Sequence, residues 1–292
     1  MISTTLRRAD QLLVQSGLVR SRTEAQRLIE NGQVIARDGA GRRLQIKPAT
    51  RLDPTVQFEL PPDLERFVSR GALKLQAAVD AFSLTVSGHR CLDAGQSTGG
   101  FTECLLLNGA AIVVGVDVGH GQLDNTLALD PRVVCVERFN LRDATHESLG
   151  KAIQLAKKIA PDLPQPGIDD CNPCNTKLPG TRFQTTHFQT IVADLSFISI
   201  RKVLPALASL MQSNGQMVVL VKPQFELGPG AVNKHGVVRD PQAGSTLKDV
   251  IAADARNLKL ALSGWISCPI TGGDGNQEYL AWLTSYQQET KS

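Results

Sequence analysis

Long apolar runs are missing from this sequence of 292 residues. The longest candidates, around Ala110–Val118 and Met217–Val221, are strand-sized, far short of the ~18 residues needed to cross a bilayer. No apolar stretch follows the arginines of MISTTLRRADQLL, so neither a secretory leader nor a membrane span is expected. A disulfide framework is missing too. Six cysteines are scattered at Cys91, Cys104, Cys135, Cys171, Cys174 and Cys268, mostly inside apolar segments, which predicts reduced thiols and a cytoplasmic protein. Net charge is only +3, with 42% apolar and 20% charged residues, so a disordered chain is excluded and about two domains are expected.

The small charge excess is concentrated. Residues 1–60 carry ten Lys/Arg against six Asp/Glu, a net of +4, and the other 232 carry 21 against 22, a net of −1. A basic module ahead of a near-neutral body suits a polyanion partner. Leu6, Ala9, Leu12 and Leu13 have helical spacing, with Gly17 as a stop. Ser21-Arg22-Thr23-Glu24 forms a capping box, opening a helix that runs through Ile29 to Gly32. Short strands follow at Gln33–Ala36, Leu44–Ile46 and Val56–Leu60. Arg7, Arg8, Arg20, Arg22 and Arg27 fall on the helices and are candidate phosphate contacts. Arg8-Ala-Asp10, Leu13, Gly17, Ser21-Arg22-Thr-Glu-Ala25, Leu28-Ile29 and Gly32-Gln-Val34 resemble the S-four RNA-binding domain. The expected division is 1–60 for this module, 61–65 for a linker and 66–292 for a second domain.

Beyond residue 66, apolar stretches at Cys91–Leu92, Ala111–Val116, Val133–Val136, Thr190–Ala193 and Met217–Val221 alternate with helical segments Phe101–Asn108, Gln122–Leu129 and Ile200–Gln212. That alternation predicts an α/β doubly wound, mostly parallel sheet. Trp265–Ile270 and Glu278–Leu283, flanking Gly272-Gly-Asp-Gly275, predict a closing antiparallel hairpin. Doubly wound sheets bind ligands at the carboxyl ends of their strands. Asp93, Asp117, Asp194 and Lys222 each follow an apolar run directly.

The first such turn reads Asp93-Ala-Gly95-Gln-Ser97-Thr98-Gly99-Gly100-Phe101, and Asp117 lies 22 residues after Gly95, placed to meet ribose hydroxyls. The spacing is Gly-x-Ser-x-Gly-Gly rather than the Gly-x-Gly-x-x-Gly that favours a pyrophosphate. S-adenosylmethionine therefore fits better than a nicotinamide dinucleotide, which stays as the rival. Lys74, Asp194, Lys222 and Glu278 form a candidate constellation in which an amine can take a proton from a weakly acidic hydroxyl. A structural ion-pair cluster is the alternative.

Ser-Arg-Gly-Ala-Leu-Lys74-Leu, Leu-Asp93-Ala-Gly-Gln-Ser-Thr-Gly-Gly-Phe-Thr, Val-Asp117-Val-Gly-His-Gly-Gln-Leu, Ala-Asp194-Leu-Ser-Phe-Ile-Ser and Val-Lys222-Pro-Gln-Phe-Glu occur in this order. With the N-terminal module they resemble the haemolysin-A-like (TlyA) family of ribosomal-RNA methyltransferases, whose catalytic domain is FtsJ-like. The resemblance implies a Rossmann-like methyltransferase domain and S-adenosylmethionine-dependent 2′-O-methylation of cytidine in ribosomal RNA or ribosomal subunits. It implies Lys74, Asp194, Lys222 and Glu278 as the catalytic tetrad. It also puts Asp93, Gly95, Ser97, Thr98, Gly99, Gly100, Phe101, Asp117, Asn140 and Asp143 at the cofactor.

Residues 150–187 depart from the family pattern and, after a helix over Lys151–Ala160, are expected to form an inserted loop. Their Cys171-x-x-Cys174 is half a zinc site at most, with His187 short of a partner; no metal is expected. The glycine-rich stretch from Phe225 to Arg239 is expected to cover substrate, with His235 and Arg239 as RNA contacts, and a plain connection is the alternative. Rival readings are a non-catalytic assembly factor, a nicotinamide-dependent dehydrogenase and a pore-forming haemolysin.

Overall fold

The structure, a computed structural model, describes residues 6–19, 22–30, 32–61, 67–159, 186–233, 235–272 and 275–286. These fall into two compact units, Met1–Phe67 and Val68–Ser292.

In the first unit, β1 (Arg7–Arg8) leads into α1 (Ala9–Gln15), followed by α2 (Arg22–Glu30), β2 (Ile35–Arg37), β3 (Arg43–Leu44), β4 (Arg51–Leu52) and β5 (Gln57–Glu59). The predicted first helix loses its opening turn because Arg7 and Arg8 pair with Leu52 and Arg51 of β4. Strands β3, β2 and β5 form a small antiparallel sheet. Leu12, Leu13, Ala25, Leu28 and Ile29 from the two helices share a core with Val34, Leu52 and Leu60, the burial that short helices need in order to persist. Gly32, at φ +67°, closes α2 by donating its amide to the Ile29 carbonyl. The Ser21 capping box lies outside the described residues.

The second unit runs α3 (Gly71–Phe82), β6 (Arg90–Ala94), α4 (Gly100–Leu107), β7 (Ile112–Val116), α5 (Asn125–Ala128), β8 (Val133–Val136), α6 (His146–Ile159) and β9 (Phe188–Ala193). It continues with α7 (Leu204–Leu210), β10 (Met211–Val221), α8 (Pro223–Glu226), α9 (Ala243–Asn257), β11 (Leu260–Ser267) and β12 (Tyr279–Ser285). Seven strands form one sheet in the order β11-β12-β10-β9-β6-β7-β8. Strands β10, β9, β6, β7 and β8 pair parallel with one another, and β12 runs antiparallel between β10 and β11. The mostly parallel sheet with an antiparallel C-terminal hairpin is as predicted. All five residues of β7 are buried, as helices on both faces require.

Three local expectations change. The helix predicted over Ile200–Gln212 splits into a 3-10 turn, Ile200–Lys202, and α7, which stops where β10 begins. The helix predicted from Gln122 starts only at Asn125, because Asp124 accepts the Thr126 amide at 2.8 Å as its cap. The inserted loop set at 150–187 begins later than that bound, because the helix expected over Lys151–Ala160 is present as part of α6, which continues to Ile159 with Leu149 and Ile153 in the core. Residues 160–185, including Cys171 and Cys174, lie outside the described residues. Of the described cysteines, Cys91, Cys135 and Cys268 are free thiols, and Cys104 is buried.

Candidate active site

The chain leaves β6, adds β7 and β8 on one side, then returns to lay β9 on the other, so the strand order reverses between β6 and β9. Such a switch point opens a crevice, and a cavity of about 530 Å³ sits there. Gly95 makes it possible. It has φ +88°, and a Cβ on it would come within 2.4 Å of the Asp194 carbonyl oxygen.

At one end of the cavity, Asp117 follows β7. One carboxylate oxygen accepts the Ser97 amide at 2.8 Å and the other the Gly119 amide at 2.7 Å. Each oxygen keeps a lone pair for a ligand hydroxyl. Ser97, Gln122 and Asn140 bring further polar groups to the wall, and Phe139, Leu141, Leu195, Ile198 and Val203 supply apolar surface.

Of the ten predicted cofactor residues, Gly95, Ser97, Asp117 and Asn140 line this cavity. Thr98, Gly99, Gly100, Phe101, Asp143 and Asp93 do not. Gly99 and Gly100 are buried at the start of α4, where a Cβ on Gly100 would strike the Ser69 hydroxyl. They serve helix packing. Phe101 is buried beside them, and Thr98 and Asp143 are exposed. Asp93 lies within β6, fully buried, with one oxygen accepting the Thr102 hydroxyl at 2.6 Å and the other without a partner among the described residues. Burial pushes its carboxyl up to about 7, with the neighbouring carboxylates Asp194 and Asp117 adding to the rise.

The four predicted catalytic side chains meet as two ion pairs. Lys222 Nζ lies 2.6 Å from Asp194 Oδ1, and it donates to the Ser196 hydroxyl at 3.0 Å. Lys74 Nζ, from α3, lies 2.6 Å from Glu278 Oε2. Sheet register brings the pairs together. Val221 of β10 faces Tyr279 of β12, so Lys222 and Glu278 sit one residue beyond the last paired positions of adjacent strands. Asp194 leaves the next strand on the other side of β10. Lys74, Glu278 and Asp194 all perturb the buried Cys268 thiol, which burial pushes up. Gly272 leaves room for the acid, since a Cβ there would approach Glu278 Oε1 to 2.7 Å.

Three features escaped the sequence reading. Ser196 holds Lys222, but nothing in its spacing marked it. Phe197 stands 92% exposed at the cavity wall with φ +64°, beside Phe225 at 5.7 Å between ring centroids. The motif Asp194-Leu-Ser-Phe held that aromatic without showing that it faces outward. The buried Asn276 accepts the Val238 amide at 2.9 Å and donates to the Gly236 carbonyl at 2.9 Å. It thereby ties the glycine-rich segment to the hairpin that carries Glu278. His235 and Arg239 are exposed on that segment.

In the first unit the arginines do not all stand free. Asp10 is fully buried, and its carboxylate takes Arg8 through two bonds (3.0 and 2.9 Å), Arg22 at 3.2 Å and Gln26 at 2.7 Å. These donors, Arg8 foremost, hold its carboxyl well below the usual carboxylate range. Arg7 donates to Gln15 at 3.0 Å. Arg20, and the side chain of Arg27, lie outside the described residues.

Among the described residues no cluster of three or more His, Cys, Asp or Glu could hold a metal, and no helix is long and apolar enough to cross a membrane.

Known proteins resemble this chain. The FtsJ-like methyltransferase family model matches residues 67–285, and the S4 domain model matches residues 7–35. The chain is 43% identical over 277 residues to the 16S/23S rRNA (cytidine-2′-O)-methyltransferase TlyA of Mycobacterium tuberculosis, covering 94% of this chain and 89% of that one. It is 34% identical to Hemolysin A of Brachyspira hyodysenteriae, covering 94% and 98%. A solved Streptococcus thermophilus structure, provisionally described as a hemolysin, superposes with a TM-score of 0.66 at 32% identity, covering 99% and 93%.

Proposed function

Because the chain belongs to the FtsJ-like methyltransferase family and carries an S4 domain, we propose that it methylates the 2′-hydroxyl of cytidine in ribosomal RNA, in the cytoplasm, using S-adenosylmethionine. The observation that carries the reading is the meeting of two Lys–carboxylate pairs at adjacent strand ends beside a nucleoside-sized cavity. Its volume falls within the ~300–1,000 Å³ of small-molecule sites.

The lining fits the donor. Asp117 suits ribose hydroxyls, the apolar wall suits an adenine, and Arg142 is the sole basic side chain lining the cavity among the described residues. The start of α4, which a pyrophosphate would need, does not line it, and this disfavours a dinucleotide. Bound there, S-adenosylmethionine supplies a methyl group already activated by its sulfonium.

The chain's own residues then have distinct tasks. Lys222, once its ammonium has released a proton to solvent, takes the proton of the ribose 2′-hydroxyl at Nζ as the neutral amine, while Asp194 and Ser196 fix that nitrogen. Lys74 and Glu278 balance the charge and hold the nucleotide. Phe197 offers a free aromatic face on which a base taken out of its stack can lie. Positioning supplies much of the rate. Arg7, Arg20 and Arg27 of the S4 unit serve as phosphate contacts, joined by the donors of Arg8 and Arg22 that Asp10 leaves free.

Purified protein, labelled S-adenosylmethionine and unmodified ribosomal subunits test the reading, with the marks mapped as 2′-O-methylcytidine. Lys222→Ala is expected to lower transfer by about 10²–10⁴-fold. Undiminished transfer would remove Lys222 from the role of base, and no transfer by the native protein would favour an assembly factor.

A further inference from the structure

Glu226 ends α8 four residues beyond Lys222, and the chemistry above makes no use of it. It is largely buried, and burial raises its carboxyl above the usual range. Both of its oxygens are engaged. One accepts the Ser199 hydroxyl at 2.5 Å and the other the Ile200 amide at 2.8 Å. The nearby guanidinium of Arg201 is bonded to Asp254 of α9 instead. The Ser199 side chain gives no cap of its own to the 3-10 turn Ile200–Lys202. Glu226 therefore caps that turn from another element, satisfying an amide that would otherwise lack an acceptor.

The capped turn closes a short segment. Asp194, Leu195, Ser196, Phe197 and Ile198 all line the cavity. Phe197 holds a left-handed backbone conformation, which is strained for a non-glycine residue and persists only where the surroundings enforce it. The segment is tied at its start by Lys222, through Asp194 and Ser196. It is tied at its end by Glu226. Both ties come from the five residues Lys222–Glu226.

We propose that Glu226 is a positioning residue for methyl transfer: with Lys222 it brackets the Asp194–Ile200 segment, fixing Asp194 against Lys222 and the Phe197 ring against the site. This rests on the methyl-transfer reading. Glu226 touches no reacting atom in this scheme and acts through the segment it holds.

Glu226→Gln, in the full-length protein with S-adenosylmethionine and ribosomal subunits, keeps the side-chain shape. It replaces one acceptor with an amide group that faces a donor. The expected result is a kcat lowered about tenfold or more, with cofactor Kd within about threefold, because the Asp117 end of the cavity is intact. Ser199→Ala is expected to lower kcat less, and the double variant to be no worse than Glu226→Gln alone, as for residues acting as a unit. A folded Glu226→Gln protein with kcat within about twofold of native, or strictly additive losses, would overturn the inference. If Glu226→Gln does not fold, Ser199→Ala decides: a lowered kcat with unchanged cofactor Kd supports the bracket, and an unchanged kcat overturns it. Absence of transfer by the native protein would overturn the activity reading and this inference with it. Equal transfer by native and variant proteins would overturn this inference alone.

Discussion

Replacing Glu278 with Gln isolates what the second ion pair contributes. The Lys74 and Glu278 side chains are 12% and 3% exposed, and their charged atoms lie 2.6 Å apart. Losing the carboxylate leaves the ammonium in a poorly hydrated position, while the other pair retains its own balance. Breaking a buried pair from one side costs about 3–5 kcal/mol, and the partial exposure of Lys74 places this case near 3. At roughly 2–4 °C per kcal/mol for a unit of this size, the thermal midpoint should fall by about 6–12 °C. The double variant Lys74→Met/Glu278→Gln removes both charges, so it should recover most of the midpoint while transferring no methyl. Differential scanning calorimetry and methyl incorporation on the same samples read the two effects separately. A single variant with a native midpoint and native transfer, or a double variant that regains activity, would refute the charge-balance reasoning.

Other perturbations test neighbouring parts of the structure. Asp93, raised to about 7 by burial, binds a proton more tightly folded than unfolded, so its contribution is complete below about pH 4 and fades as pH rises through about 7. Urea midpoints measured across that window should fall less steeply for Asp93→Asn than for the native protein, and parallel slopes would contradict the shift. Phe197→Ala should lower kcat/KM for ribosomal RNA about tenfold, within the ~1–3 kcal/mol of one base–aromatic stack, while cofactor affinity stays near native; a native kcat/KM would exclude the stacking role. Asp10→Asn should speed hydrogen exchange in Ala9–Gln15 and Arg22–Glu30 about tenfold and weaken RNA binding, leaving exchange in Gly71–Phe82 unchanged. Unaltered exchange in all three helices would show that the Arg8–Asp10–Arg22 network does not hold the S4 helices.

How far the site was legible differs from residue to residue. Asp117, Asp194 and Lys222 could be placed because each ends an apolar run, and parallel strands deliver such residues to one edge. Asp93 looked the same in sequence, yet β6 continues through Ala94. With both faces of the sheet covered, the side chain was enclosed rather than presented. Gly99 and Gly100 read as a ligand cradle, but their missing side chains serve close packing against Leu123, Leu127 and Ser69. A glycine records that space is scarce without saying what occupies it. Arg8 and Arg22 counted as positive charge, and only burial of Asp10 showed where their donors are directed. Ser196, Asn276 and Glu226 were not singled out, since hydrogen bonds between distant segments impose no period on the chain.

Periodicity and the order of apolar runs settled the fold class and the module sequence, because burial of alternating elements is a local requirement written into each segment. The cluster of charges was decided only by tertiary structure. Lys74 and Glu278 are 204 positions apart, and it takes α3 packed on the sheet, together with the register of β12 against β10, to bring an ammonium within bonding distance of that carboxylate.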